Sequence, residues 1–476
     1  MALGANKAAL LGAAGSSTTS TFTISQSIRF NSADSAYMHR TPSSSGNRKT
    51  FTSSFWVKLG DTTDCALPFP SVYQNASYGA FLSSGVIQFF IYYTGSAWQG
   101  QLYTNRVFRD PAAWYHFVIV VDTTQATSTE RVRIYVNGQR ETIFSTENYP
   151  NQNQDTDWNN SGEKMGIGVN ANGFGGSFGE YYAAEMHYLD GYAYGPEYFG
   201  ETNDSGIWIP KEYDGSYGTN GFKIDGRDSS DLGDDESGQG NDFTVVNLAA
   251  HDQVGDSPTN NFCTANPLDS YYFAGTFKDG NLDVTTSGAT GNYTFHTTTQ
   301  KIPTSGKWYT EVRAYEIGAG CYIGITQEPT TAINVYLGQL STTWGYNSGG
   351  NLYTNNSGSS YGNSYTNGDI IGIAVDMDNN KLYFSKNGTF QDSGDPTSGS
   401  TGTGAISITG GVDYFLGASD DTGAATTSRF MWNFGQDGTF CNGVTAQGNK
   451  DASGIGNFYY SVPSGYKALC TKNLGS

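Results

Sequence analysis

The sequence predicts an all-β protein made of two tandem antiparallel β-sandwich domains behind a short N-terminal helical or extended anchor. Three observations carry this. Of 476 residues, 62 are Gly, 33 Tyr and 27 Phe, and only 14% are charged. Aromatic and β-branched side chains suit pleated, half-buried surfaces, while Gly and Asn supply turns. No stretch after the first fifteen or so residues sustains helical apolar periodicity. One strand-and-turn grammar also occurs twice, once in each half, and the length itself exceeds one ordinary domain.

Residues 1–20, "MALGANKAALLGAAGSSTTS", place a short Ala/Gly-rich apolar run behind the single charge of Lys7, a weak signal-peptide pattern. They read either as a segment that docks on a neighbouring protein through Leu10 and Leu11, or as a frayed terminus. An isolated helix this short is marginal in water.

Residues 21–200 run strand, turn, strand. "FTSSFWVKLG" sets Phe51, Phe55 and Val57 on one parity, and "AAWYHFVIVVD" is a continuous apolar run fit for a strand buried on both faces. "RVRIYVNGQR" alternates, with Val132, Ile134 and Val136 inward and Arg131 and Arg133 outward; Asn137-Gly138 then supplies a positive-φ hairpin turn. Residues 201–268 change character: "DGRDSSDLGDDESGQGND" reads as an acidic connector without a core of its own. Residues 269–476 return to strands. Ile371, Ile373 and Val375 lead into Asp376, a polar turn follows, and "KLYFSKNG" ends on Asn387-Gly388 before a closing segment, "FYYSVPSGYKALCTKNL".

The net charge of −19, with no basic run longer than Arg48-Lys49, disfavours nucleic acid and anionic membrane surfaces as partners. No apolar run has the length of a membrane span. The five cysteines (Cys65, Cys263, Cys321, Cys441, Cys470) are widely spaced, without a Cys-x-x-Cys pair, and read as small buried hydrophobes in a reducing compartment.

Candidate chemistry is sparse, and no catalytic residue is assigned. Asp376, Asp378 and Asn380 have the spacing of the first calcium-loop ligands, yet Lys381 and Asn387 stand where an EF-hand needs Gly and Glu. Together with Asn379 they read as turn-formers. The acidic connector offers Asp228, Asp231, Asp234 and Asp235 as weak calcium candidates, against a solvated acidic loop; no other cofactor is expected. A retaining glycosidase needs two carboxyls about 5 Å apart. Glu180 with Glu185, and Glu311 with Glu316, have opposite parity and share no face of a regular strand. Two Gly-x-Ser-x-Gly matches, at Gly175–Gly179 and Gly358–Gly362, lack the strand-to-helix context of a nucleophile elbow. The histidines (His39, His116, His187, His251, His296) are scattered, and His116 within its apolar run reads as structural.

Aromatics in a Gly/Ser/Asn background are the better binding candidates. Trp344, Tyr346, Tyr353, Tyr361 and Tyr365 are expected to bind ligand; of these Tyr361 and Tyr365 are expected to be exposed, the others also suiting a core.

"FTSSFWVK", "WYHFVIVVD", "RIYVNGQ", "MGIGVN" and "GEYYAAEMHYLDGYAYGPEYFGE" resemble a laminin-G-like, concanavalin A-type jelly roll over residues 22–200. "GKWYTEVRA", "CYIGIT", "WGYNSGGNLY", "GDIIGIAVDMDNNKLYFSKNG" and "RFMWNFGQDGTF", closing with "VPSGYKAL", resemble SPRY (B30.2-like) domains over residues 269–470. "WIPKEYDGSYGTNGFKID" and "VGDSPTNNF" are similar to segments that join such domains in virion proteins of marine bacteriophages. The resemblance implies a structural virion protein of tail-fibre or spike type, made in the host cytoplasm. Its partners would be other virion proteins, through the N-terminal segment, and a host-surface glycan or protein. It also implies a homo-oligomer, with a trimer favoured, and neither nucleic-acid binding nor membrane insertion. A capsid decoration protein and a carbohydrate-active hydrolase are the alternatives.

Overall fold

The computed structural model describes residues 22–72, 79–91, 100–170, 177–272, 274–286, 292–318, 320–329, 334–420 and 427–475. The expected anchor, with Leu10 and Leu11, lies outside them. Strands supply nearly all regular structure; among the described residues one helical turn, Thr471–Leu474, and a few 3-10 turns complete it. The contacts divide the chain into Met1–Asn260 and Asn261–Ser476.

The first unit is built on an eight-stranded antiparallel sheet. Its main strands are β1 (Ser27–Phe30), β2 (Thr50–Leu59), β3 (Trp114–Asp122), β4 (Val132–Val136), β5 (Tyr181–Asp190) and β6 (Phe222–Ile224). They run β4-β3-β2-β5-β1, with β6 added to β5. Alternation sends Phe51, Phe55 and Val57 of β2, and Val132, Ile134 and Val136 of β4, into one core. Leu82, Phe89 and Leu102 from a five-stranded sheet, and Met38 and Met165 from a four-stranded one, meet them there.

The other face of the main sheet is covered too: every residue of β5, and all of β2 except Thr50, is buried. Ile24, Trp56 and Ala184 pack with Trp208, and Val118, Val120 and Leu189 with Phe199, Tyr213 and Tyr217. Lys58 is held there by a buried ion pair to Asp256 (2.7 Å), whose carboxylate also accepts from Trp114 Nε1–H (3.0 Å).

These contacts correct the expected connector of residues 201–268. The segment up to Asn260 belongs to the first unit, and the second begins at Asn261 rather than 269. Widely spaced apolar residues (Phe222, Ile224, Leu232, Phe243, Leu248) enter the first core, and β6 extends its sheet. Asp225, Asp235, Asp252 and Asp256 are buried rather than solvated. A composition dominated by Asp and Gly hides this, because a segment draped on an existing core needs only an occasional apolar anchor.

The second unit has two sheets of seven and nine strands, antiparallel except where Lys467–Ala468 pairs parallel with Lys307–Glu316. Its main strands are β7 (Ala265–Tyr272), β8 (Thr294–Ile302), β9 (Lys307–Glu316), β10 (Tyr322–Thr326), β11 (Thr343–Asn347), β12 (Asn351–Thr354), β13 (Ser357–Ser360), β14 (Ile370–Asp376), β15 (Lys381–Lys386), β16 (Tyr414–Ser419) and β17 (Arg429–Asn433). The seven-stranded sheet runs β7-β8-β16-β10-β11-β12-β13, and the other is centred on β17-β9-β14-β15. Between them lie Ile323, Ile325, Ile371, Ile373, Val375, Leu416 and Trp432. The closing segment covers the outer face of the nine-stranded sheet: Phe458, Tyr466 and Ala468 pack on Tyr309, Ala374 and Tyr383.

Candidate functional site

The Asp376–Gly388 hairpin is a turn device, as its residues imply. Asp376 accepts the Asn379 N–H (3.0 Å) and amide (2.9 Å), and pairs with Lys307 (2.9 Å). Asp378 accepts the Gly306 N–H (2.8 Å), while Asn380 takes φ +56°. The Asn-Gly turn repeats atom for atom between the units. Asn137 Oδ1 accepts from the His116 N–H (2.7 Å) while the Asn137 N–H donates to His116 C=O (2.8 Å). Asn387 makes the same two bonds to Ile370, at 2.9 and 2.8 Å.

The expected aromatic binding loop is corrected. Trp344, Tyr346, Tyr361 and Tyr365 are 7%, 0%, 9% and 2% exposed and belong to the second core. Tyr353 is half-buried against Tyr322 and Tyr336. Their hydroxyls find partners inside: Tyr365 donates to Cys321 C=O (3.1 Å) and Tyr346 C=O (3.0 Å), Tyr361 accepts the Phe384 N–H (3.1 Å), and Tyr346 donates to Asn363 C=O. A Tyr whose polar tip is bonded is an ordinary core residue, which a Gly/Ser/Asn-rich context does not reveal.

The parity argument about paired carboxylates also needs correction, because neither strand is regular where it matters. A bulge shifts the register between Ala184 and His187, with Glu185 at φ +47°, and another lies between Ala314 and Glu316. A bulge resets side-chain alternation. The partners nevertheless keep the acids apart. Glu180 accepts from Ser32, whereas Glu185 pairs with His187 (3.2 Å) and Lys223 (3.3 Å). Glu311 is buried and Glu316 exposed.

Ser54, Glu185 and His187 line a narrow crevice with Trp56 and Phe199 on the outer face of the first sheet. Ser54 Oγ lies 2.8 Å from His116 Nε2, the spacing of a nucleophile and its base. The tautomer decides otherwise. Trp208 Nε1–H donates to His116 Nδ1 (2.9 Å), and an indole nitrogen only donates, so the His116 proton sits on Nε2 and points at Ser54. His116 cannot take the serine proton in this arrangement, and burial lowers its pKa to about 3, holding it neutral. Of the two Gly-x-Ser-x-Gly matches, the first falls partly outside the described residues and the second ends a strand at an exposed edge.

The acidic candidates serve local turns. Asp228 accepts from Ser230, Asp231 from the Gly233 N–H, and Asp235 from the Lys223, Ser237 and Asn241 N–H groups. Asp234 is raised by desolvation and by Asp242 and Asp231. Among the described residues no three His, Cys, Asp or Glu side chains are placed to hold a metal ion.

Tyr272 and Tyr315 of the second unit are exposed, at 45% and 39%, and a stacked aromatic cluster lies on the first unit, at residues taken in the sequence only as a fold signature. Tyr194 and Tyr198 stack with centroids 4.2 Å apart and planes 9° from parallel, and Tyr192 lies 5.3 Å from Tyr194. Tyr198 is 41% exposed and the other two are half-exposed. The backbone beneath is fixed. Thr52 Oγ1 donates to Tyr192 C=O (2.9 Å) and accepts the Tyr194 N–H (3.0 Å), and buried Pro196 opens a 3-10 turn. Rigid rings with polar tips on an anchored loop form a stacking platform for a flat, hydroxyl-bearing ligand. The "GYAYGPEY" spacing of Tyr beside turn-formers was the available signal.

Comparison with known proteins agrees with these two units. Residues 30–183 match the concanavalin A-like lectin/glucanases superfamily, and residues 307–405 match the SPRY domain. Among solved structures, the SPRY domain of human HERC1 is 18% identical, covering 35% of this chain and 96% of its own, with a TM-score of 0.28. A second human SPRY domain is 16% identical, covering 34% of this chain and 94% of its own, with a TM-score of 0.25. No curated protein matches the chain. A concanavalin A-like domain and a SPRY domain thus stand in tandem, each a β-sandwich of binding type.

Proposed function

We propose that this chain is a non-catalytic surface protein of a bacteriophage virion, of tail-fibre or spike type, displaying its sandwiches to recognise a host-surface glycan or protein. The observation that carries the recognition reading is the Tyr192–Tyr194–Tyr198 platform, exposed on a backbone pinned by Thr52. Sugar rings stack on such surfaces and hydrogen-bond to tyrosine hydroxyls. The engagement of His116 and Glu185 in structural bonds supports recognition over hydrolysis. The virion assignment is supported by the likeness of "WIPKEYDGSYGTNGFKID" and "VGDSPTNNF" to joining segments of phage proteins. Docking on other virion proteins through residues 1–20 belongs to the same proposal.

Antibody labelling of intact particles tests the location: gold at the tail or on spikes is the expected result. Purified chain added to host cells ahead of the particles should lower adsorption. Labelling over the whole capsid with no effect on adsorption would favour a decoration protein instead.

A further inference from the structure

Sheet edges are where β-proteins meet other chains, because an edge carries unpaired N–H and C=O groups. Natural edges are blunted by charge, proline, bulges or shortness. Among the described strands, three of four or more residues end a sheet: Phe144–Asn148, β7 and β13. Phe144–Asn148 carries Glu147 and a register shift. β7 carries Pro267, Asp269 and a register shift between Ala265 and Ser270. β13, Ser-Gly-Ser-Ser, is short but has no charge, proline or bulge: all four residues are exposed, and its register with β12 is unbroken.

The ladder phase shows which groups are open. Tyr361 N–H donates to Gly350 C=O (3.1 Å), so the alternation of an antiparallel pair turns Ser359 and Ser357 toward β12. The N–H and C=O groups of Gly358 and Ser360 therefore point away from the sheet. Gly358 is small for a reason: a Cβ there would lie 2.7 Å from the Tyr353 ring, which covers it. The strand and its flanking sequence are uncharged as well, although Lys386 donates to Ser364 C=O (2.8 Å) and Asp392 lies near Tyr361. From Pro329 to Gly368 the sequence holds no Asp, Glu, Lys or Arg, in a chain of net charge −19. Two copies repel each other through their net charge, and this edge brings none of its own to the contact.

We propose that β13 is a self-association edge, pairing antiparallel with β13 of a second copy of this chain. Ser359 lies opposite the partner's Ser359 on the two-fold axis, and Gly358 lies opposite the partner's Ser360. Each such Gly–Ser pair exchanges two N–H···O=C bonds. The contact is isologous, so it closes as a pair and consumes both edges. That makes it two-fold, unlike the trimer expected of a fibre. An edge this short gives weak, concentration-dependent association, which strengthens where copies are displayed side by side.

Sedimentation velocity of the full chain over a wide concentration range tests this, with a reversible monomer–dimer equilibrium expected. Ser360→Pro deletes an outward N–H without removing a bond to β12, and should weaken the dimer at least about tenfold with the thermal midpoint unchanged. Ser359→Lys and Ser359→Glu should each abolish pairing, since like charges then face one another on the axis, and an equimolar mixture should restore it. The mixture also shows that both variants are folded. A monomer at every concentration, a trimer, or a dimer indifferent to Ser360→Pro and Ser359→Lys would overturn the proposal.

Discussion

Glu311 shows how far a single residue's role can lie from its sequence surroundings. Its buried carboxylate accepts the N–H groups of Tyr459 (2.8 Å) and Tyr460 (2.7 Å), 148 and 149 positions away, and those of Asn433 (3.2 Å) and the Tyr309 hydroxyl (3.1 Å). It fastens the closing segment to β9. Burial pushes its pKa up to about 7, against the four donors that pull it down. The folded state therefore holds a proton that the unfolded state loses near pH 4.5, the ordinary value for a glutamate. The raised pKa contributes stability that is full below pH 4.5 and is lost as pH rises to about 7. Glu311→Gln should remove this slope from a urea-denaturation series across pH. It should also cost about 1–3 kcal/mol, because its amide would face donors. A slope unchanged in the variant would assign it to another group. In the sequence Glu311 was visible only as a possible catalytic acid, since nothing local marks a contact so distant along the chain.

At the scale of elements, local turn chemistry was legible and strand irregularity was not. Asn137-Gly138 and Asn387-Gly388 identified both hairpins, because the left-handed turn residues are adjacent and specific. Less visible was what sits on each glycine. A Cβ on Gly138 would lie 2.6 Å from Trp208, and one on Gly388 would lie 2.7 Å from Tyr460. In each unit an aromatic residue of the later covering segment rests on the hairpin glycine. Gly138→Ala and Gly388→Ala, at φ +77° and +79°, should each destabilise their own unit by about 1–2 kcal/mol for the backbone alone, with the ring clash adding to it. Denaturant unfolding of each variant checks this, and an unchanged midpoint would show that the turn relaxes. The bulges at Glu185 and Ala314 could not be read, because alternation holds only while the register does. The tyrosines failed in both directions. Tyr361 and Tyr365 are buried despite their polar context, whereas Tyr198 is exposed shortly after a fully buried strand.

At the scale of the whole molecule, fold class and tandem order followed from composition and repeated grammar, whereas the boundary did not. Residues 201–260 complete the first sandwich, where a count of Asp and Gly sees a linker. The proposed recognition role rests on what the first unit leaves on its surface, a pinned tyrosine platform, and the proposed self-association on an open edge of the second. Binding of the labelled full chain to an array of host surface glycans and to isolated host surface proteins tests the recognition claim most directly. Saturable binding by the wild type, falling at least about tenfold in Tyr198→Ala with an unchanged thermal midpoint, is the predicted result. No binding by the wild type, or binding indifferent to loss of the Tyr198 ring, would contradict it.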